Sequence, residues 1–191
     1  MVSINEAKKA IQNGKIVIYP TDTVWGMGCD PFSQKAVDEL FRIKGKKTDG
    51  LSIMLNNVSL IYDFCEVNKK AKKIIEEFLP GPITLILKSK KDFAKGVTRN
   101  GNIAIRIPLN KTALDLAANQ PIITTSVNLH GEKIARNLDE AKEKFGSNCH
   151  YLDGEEPKGI ESTIIDLTEN KPEITRIGAL YSTILEGMFE S

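Results

Sequence analysis

The chain has 191 residues, 41% of them apolar, with 26 basic residues against 25 acidic ones and a formal net charge of +1. That length accommodates one domain or two small ones with a sizeable core, and the lack of a long uncharged apolar run argues against a transmembrane helix. The near-neutral charge argues against a generic nucleic-acid binder. Cys29, Cys65 and Cys149 are far apart, form no Cys-x-x-Cys and follow no export signal, so they read as reduced thiols of a cytoplasmic protein. His130 and His150 are too few for a histidine-rich metal site.

Ser3-x-x-Glu6 is a capping box, and Ile4, Ala7, Ala10 and Ile11 give the helix it opens one apolar face, closed by Gly14. Residues 16–19 form a short apolar β-branched run that reads as a buried strand, stopped by Pro20. Residues 33–44 are predicted helical, with Ala36, Val37, Leu40 and Phe41 on one side and Gly45 at the end. A strand over 51–55 and a helix over 68–78 follow, and Pro80-Gly81-Pro82 then imposes a rigid turn. Strands over 83–88 and 103–107 have no helix between them, so the sheet is expected to be mixed rather than purely parallel. The pattern continues with a helix over 111–119, a strand over 122–126, a helix capped by Asn137 and running to 145, strands over 163–166 and 173–177, and a weak terminal helix. No internal repeat, low-complexity stretch or long linker interrupts this order.

Chemistry concentrates in a few stretches. Tyr19 to Gly28 contains Pro20-Thr21-Asp22-Thr23-Val24-Trp25-Gly26, in which two threonines flank an aspartate and Gly26 and Gly28 permit close backbone approach. Its hydroxyls and free N–H groups suit a carboxylate or phosphate, and an Asx or ST turn around a buried Trp25 is the structural alternative. Lys44-Gly45-Lys46 follows a helix end, where cations either cap the dipole or converge on phosphate oxygens. Lys69, Lys70, Lys72 and Lys73, by contrast, read as a solvated helix face. Ser126 and Asn128 point the same way from a strand end, as a plain turn or as ligands to a ribose, phosphate or amino acid. Arg106 stands alone in the apolar run 103–107 and needs a partner, either a structural carboxylate or an anionic ligand, and the apolar neighbours favour the ligand. Gly159-Ile160-Glu161-Ser162-Thr163 and Thr175-Arg176-Ile177-Gly178 are further small polar turns beside strands. Walker A, Gly-x-Gly-x-x-Gly and nucleophile-elbow patterns are absent, and no nucleophile–base pair stands out. This inventory holds and steers a polyanion; it does not attack a substrate covalently.

Eight pieces in order resemble the TsaC/YrdC-type threonylcarbamoyl-AMP synthase family: residues 20–26, Lys44-Gly45-Lys46, 51–54, 79–87, Arg106-Ile107-Pro108, Ser126-Val127-Asn128, 159–166 and Arg176-Ile177-Gly178. Where the family usually has Lys-x-Arg, Tyr and Ser-Ala-Asn, this chain has Lys46, Trp25 and Val127. The resemblance implies a single YrdC-like domain over 1–191 without the extra C-terminal domain of longer members. It also implies an α/β fold, a twisted open mixed sheet flanked by helices with a concave, positively charged face. It implies a nucleotidyltransferase that makes L-threonylcarbamoyl-AMP from L-threonine, bicarbonate and ATP with release of pyrophosphate, for t6A modification at position 37 of ANN-decoding tRNAs. By the same resemblance Lys44, Lys46, Ser126 and Asn128 form the catalytic and ATP-binding set, joined by Arg176 on the nucleotide. Thr21, Arg106, Thr124 and Ser162 would hold threonine. Mg²⁺ would arrive through the phosphates, and no metal site is built from side chains. The adenylate would pass to a t6A transferase complex, with at most a weak contact to tRNA and no membrane. An RNA-binding module using the basic face, and a carbamoyl-adenylate-forming domain of a larger hydrogenase-maturation or carbamoyltransferase protein, are the competing readings. The few aromatics suited to stacking argue against the first, and the lack of zinc-finger and acylphosphatase-like segments against the second.

Overall fold

A computed structural model describes residues 1–45, 50–169 and 171–180. Lys46 and the expected terminal helix lie outside the described residues. The helices are α1 (Ile4–Gln12), α2 (Gln34–Lys44), α3 (Ile61–Phe64), α4 (Lys69–Phe78), α5 (Lys111–Leu116) and α6 (Leu138–Phe145). The strands are β1 (Val17–Tyr19), β2 (Gly26–Gly28), β3 (Ser52–Met54), β4 (Ile83–Lys88), β5 (Asn102–Arg106), β6 (Ile122–Ser126), β7 (His150–Tyr151), β8 (Thr163–Asp166) and β9 (Glu173–Arg176).

The caps are those the sequence announces. Ser3 Oγ accepts from the Glu6 N–H at 3.3 Å while Glu6 accepts from the Ser3 N–H at 2.7 Å, the reciprocal capping box at the head of α1. Ser33, Asn68, Asn110 and Asn137 cap α2, α4, α5 and α6 from one side only, each side chain accepting a backbone N–H. Gly45 ends α2 in the left-handed conformation at φ 76°, which glycine adopts without strain. α5 stops at Leu116 rather than reaching 119, because Pro121 bars the preceding residues from continuing the helix.

The strands form one sheet in the order β7-β1-β2-β6-β3-β5-β4-β8-β9. The pairs β1–β7, β3–β5 and β4–β8 are parallel, and β1–β2, β2–β6, β3–β6, β4–β5 and β8–β9 are antiparallel, so the sheet is mixed as expected. Neither β2 nor β7 is evident from the sequence. β2 is short and glycine-bounded, and its glycines serve the sheet itself. A Cβ at Gly28 would collide with the Ile123 carbonyl oxygen, and one at Gly26 would lie 2.8 Å from the Tyr19 ring. Gly28→Ala must push β2 away from β6. The expected cost is about 1–3 kcal/mol, read as a lowered urea midpoint; an unchanged midpoint would refute the tight β2–β6 approach.

Pleating and register explain where the sheet is covered. Ile53, Ile105 and Ile123 stand side by side on one face with Leu85 and Ile165, all fully buried. They belong to the larger core, which also takes the apolar faces of α2, α4 and α6. On the opposite face α1 and α5 cover one end, packing Ala7, Ile11, Ala113 and Leu116 against Val17, Tyr19, Met54 and Ile122. The rest of that face carries Ser126, Thr124, Ser52, Thr84, Ile164, Arg106 and Arg176, and among the described residues no helix lies over it. This half-covered face is where the cavity forms. No described helix is long and apolar enough to cross a membrane.

Candidate functional site

The open face holds a cavity of about 250 Å³, and among its lining residues are Thr21, Trp25, Thr84, Thr124, Ser126 and Ser162, with Arg106 and Arg176. Six of the nine residues proposed from sequence therefore meet here: Thr21, Arg106, Thr124, Ser126, Ser162 and Arg176. They come from five places in the chain, brought together because β2, β6, β3, β5, β4, β8 and β9 are consecutive neighbours in the sheet. Lys44 and Asn128 do not line the cavity but stand behind Ser126.

Thr21 sits in the turn between β1 and β2. Its hydroxyl donates to the Val24 carbonyl at 2.6 Å and accepts from the Thr23 N–H at 3.2 Å, an ST turn that fixes the loop. The structural alternative, an ST turn around a buried Trp25, is what forms, with Thr21 2% and Trp25 1% exposed and both among the residues lining the cavity.

Arg106 corrects a sequence inference. Its neighbours in sequence offer no partner, but Asp22, 84 positions away, does: Arg106 Nη2 donates to Asp22 Oδ1 at 2.9 Å. Both side chains are buried, at 8% and 9% exposure. Burial lowers the guanidinium pKa and the Asp22 charge opposes that fall. Arg106 is therefore a structural ion-pair partner that also faces the cavity, with its Nε left unpartnered.

At the other end Arg176 donates through Nη1 to Glu161 at 2.7 Å, through Nε to the Ser162 carbonyl at 3.0 Å and through Nη2 to Ser162 Oγ at 3.0 Å. Ser162 Oγ also shares a proton with Thr84 Oγ1 at 2.7 Å. The two cavity arginines thus each carry a carboxylate neighbour. The sequence stretches containing Asp22 and Glu161 are conspicuous, but their pairing is set by the register of distant strands, which periodicity does not reveal. Thr84 and Ser52 lie within the family-like pieces 79–87 and 51–54, but the sequence reading gave neither a role.

Lys44 differs. Its ammonium donates to the carbonyls of Ser126 at 2.7 Å and Asn128 at 3.0 Å and to Asn128 Oδ1 at 3.2 Å. Ser126 Oγ donates to the same Asn128 Oδ1 at 2.8 Å, which leaves the Asn128 amide NH₂ to donate to the Glu132 carbonyl at 3.1 Å. The Lys44 carbonyl in turn accepts from the His130 N–H at 3.0 Å. All three ammonium protons are engaged with neutral acceptors, so Lys44 ties the end of α2 to the loop after β6. No carboxylate among the described residues pairs with it, and removal from water lowers its pKa to about 8.

Among the described residues no cluster of three or more His, Cys, Asp or Glu could hold a metal. The carboxylates nearest the cavity, Asp22 and Glu161, are occupied by arginines. Cys29, Cys65 and Cys149 are buried, with thiol pKa values raised by desolvation, which makes them inert as nucleophiles.

The sequence and the fold resemble those of known proteins. The Sua5–YciO–YrdC family profile, described as telomere recombination, matches residues 9–178. A Methanocaldococcus jannaschii protein is 36% identical over 167 residues, 86% of this chain and 80% of its own length. A Pyrococcus abyssi protein named threonylcarbamoyl-AMP synthase is 32% identical over 177 residues, 89% of this chain and 52% of its own. The crystal structure of P. abyssi Sua5 complexed with L-threonine superposes with a TM-score of 0.88 at 29% identity, covering 98% of this chain and 58% of that one. E. coli YciO gives 0.86 at 25% identity, covering 97% and 92%. The chain spans little more than half of the P. abyssi protein but nearly all of YciO. With the profile running from α1 to the residues just past β9, and the same twisted mixed sheet in its solved relatives, this chain belongs to the Sua5–YciO–YrdC family.

Proposed function

We propose that this chain condenses L-threonine, bicarbonate and ATP into L-threonylcarbamoyl-AMP, as a nucleotidyltransferase supplying t6A modification of ANN-decoding tRNAs. The observation that carries the reading is the convergence of Thr21, Arg106, Thr124, Ser126, Ser162 and Arg176 on one cavity, in a family whose P. abyssi member is solved with L-threonine. The chemistry requires no protein nucleophile. The threonine amine and bicarbonate form a carbamate with loss of water. A carbamate oxygen attacks the α-phosphorus of ATP, and pyrophosphate leaves with the electrons of the broken P–O bond. The protein must bring anionic reactants together and stabilise the charge that develops.

In this reading Arg106, held by Asp22, takes the threonine carboxylate, and Thr21, Thr124 and Ser162 complete the amino-acid end. Ser126 and Asn128 contact the nucleotide and its phosphates, and Arg176 faces the nucleotide while orienting Ser162. Lys44 supplies the positive charge that no described carboxylate cancels, and Lys46 is proposed to serve the ATP phosphates with it. ATP enters as its magnesium complex. Since Asp22 and Glu161 are occupied, the phosphates rather than a protein cage would carry the ion, consistent with magnesium's preference for phosphate and water ligands. The adenylate is consumed by a t6A transferase complex. Incubating the protein with all three substrates should give, by mass spectrometry, a product containing both threonine and AMP; ATP consumed with no such product, or no reaction at all, would refute the reading.

The lowered Lys44 pKa gives a pH test. An anionic phosphate favours the charged ammonium, so ATP affinity is expected to fall as pH rises through about 8. Folding responds with the opposite sign. The unfolded chain binds this proton more tightly, so Lys44's contribution to stability rises between about 8 and the ordinary lysine value. Calorimetric ATP affinities at pH 7 and pH 9 check this; tighter binding at pH 9 would contradict it.

A further inference from the structure

Most hydroxyls around the cavity are already engaged. Thr21 donates to the Val24 carbonyl, Ser126 donates to Asn128, and Thr84 and Ser162 share a proton while Ser162 also accepts from Arg176. Thr124 interacts with the buried Tyr19 hydroxyl. Thr21, Thr84, Thr124 and Ser162 are buried as well. Ser52 differs on both counts. It lines the cavity, it is only half-buried, and its hydroxyl has no hydrogen-bond partner among the described residues. Thr125 also lacks one, but strand alternation turns it to the opposite face with Ile123. Register sets Ser52 in the middle of the open face, directly opposite Thr124 of β6 on one side and Ala104 of β5 on the other. Arg106 follows two residues after Ala104 on the same face. Two residues of strand advance about 6.6 Å and neighbouring strands lie about 4.8 Å apart, so Ser52 and Arg106 are diagonal neighbours, spaced to meet opposite ends of one small ligand. Val24, Leu51 and Ile164 supply apolar lining to the same cavity.

We infer that Ser52 is a specificity-determining residue, its hydroxyl pairing with the side-chain hydroxyl of the amino acid whose carboxylate is held at Arg106. The inference rests on the proposed amino-acid site and gives a role to a residue for which the sequence reading had none. A serine hydroxyl both donates and accepts, so it meets a substrate hydroxyl in either sense and gains nothing from the methyl group that replaces it in valine. Apolar walls alone separate threonine from valine poorly, because the two have nearly the same shape; discrimination requires a polar group that the analogue leaves unpaired. Ser52 is the accessible hydroxyl on this face that is free to be that group.

Calorimetric Kd values for L-threonine, L-valine and ATP are compared among the wild type, Ser52→Ala and Ser52→Thr. The wild type is expected to bind threonine more tightly than valine. Ser52→Ala should weaken threonine binding roughly tenfold and leave valine and ATP binding unchanged, so the preference for threonine over valine shrinks by the same factor. Ser52→Thr keeps a hydroxyl on a side chain suited to a strand and should keep the preference. A wild type that binds threonine and valine alike, an unchanged preference in Ser52→Ala, or equal losses for both amino acids would overturn this inference and leave the proposed function standing. No binding of threonine to the wild type would overturn both.

Discussion

Lys44→Ala is expected to lower adenylate formation about 100-fold while the fold survives. The lysine contributes on two levels. Its charge has no carboxylate partner among the described residues, so, although its protons are engaged by neutral acceptors, its field reaches phosphate uncancelled from behind Ser126. Its three hydrogen bonds also hold the backbone that presents Ser126 and Asn128. One charge-assisted contact is worth about 1.5–3 kcal/mol, or roughly 10- to 150-fold in binding. Losing the tether adds a positional loss that affects turnover more than substrate affinity. The network lies at a loop and a helix end rather than in the apolar core, so thermal denaturation should shift by only a few degrees. Lys44→Arg tests geometry against charge, because a planar fork does not reproduce an ammonium bonded to three converging acceptors. Near-wild-type turnover of the alanine variant would remove Lys44 from the site.

Asp22→Asn is expected to be the most destabilising of the conservative changes. It leaves the Arg106 guanidinium buried and without its carboxylate, a loss of about 3–5 kcal/mol. In a protein of this size that lowers the melting temperature by roughly 6–20 °C. Arg106→Lys is milder. An ammonium can keep a charge opposite Asp22 but loses the fork that matches a carboxylate, so threonine affinity should fall much more than ATP affinity, with a modest loss of ligand-free stability. Equal losses for both substrates would make Arg106 purely structural. Removing both charges together with apolar residues of similar volume should recover much of the stability and none of the threonine binding. Stability and binding depend on the same pair but can be separated in this way.

What the sequence reveals follows from the range of the interactions involved. Caps, helix faces and strand runs are local, so Ser3, Ser33, Asn68, Asn110 and Asn137 sit at the helix starts their side chains favour. The mixed sheet was legible because two strands followed each other without a helix between them. The order of the sheet was not, since β6 lies between β2 and β3 although residues 29–121 separate it from the first. The short strands β2 and β7 carry too few residues for alternation to register. Strand alternation did place Arg106 opposite Ile103, Ile105 and Ile107, yet its partner Asp22 came from a turn across the sheet. The glycines of the first motif look like room for a ligand but are largely filled by the Tyr19 ring and the Ile123 carbonyl. Motifs thus marked residues that gather around one cavity, while the sheet register decided which of them face it and which hold a neighbour.

Pyrophosphate release from ATP, measured with threonine and bicarbonate each present and each omitted, addresses the central claim most directly. Release that requires both co-substrates, and falls about 100-fold in Lys44→Ala, is the predicted result. Release that proceeds without threonine, or no release under any combination, would contradict the assignment of this cavity to threonylcarbamoyl-adenylate synthesis.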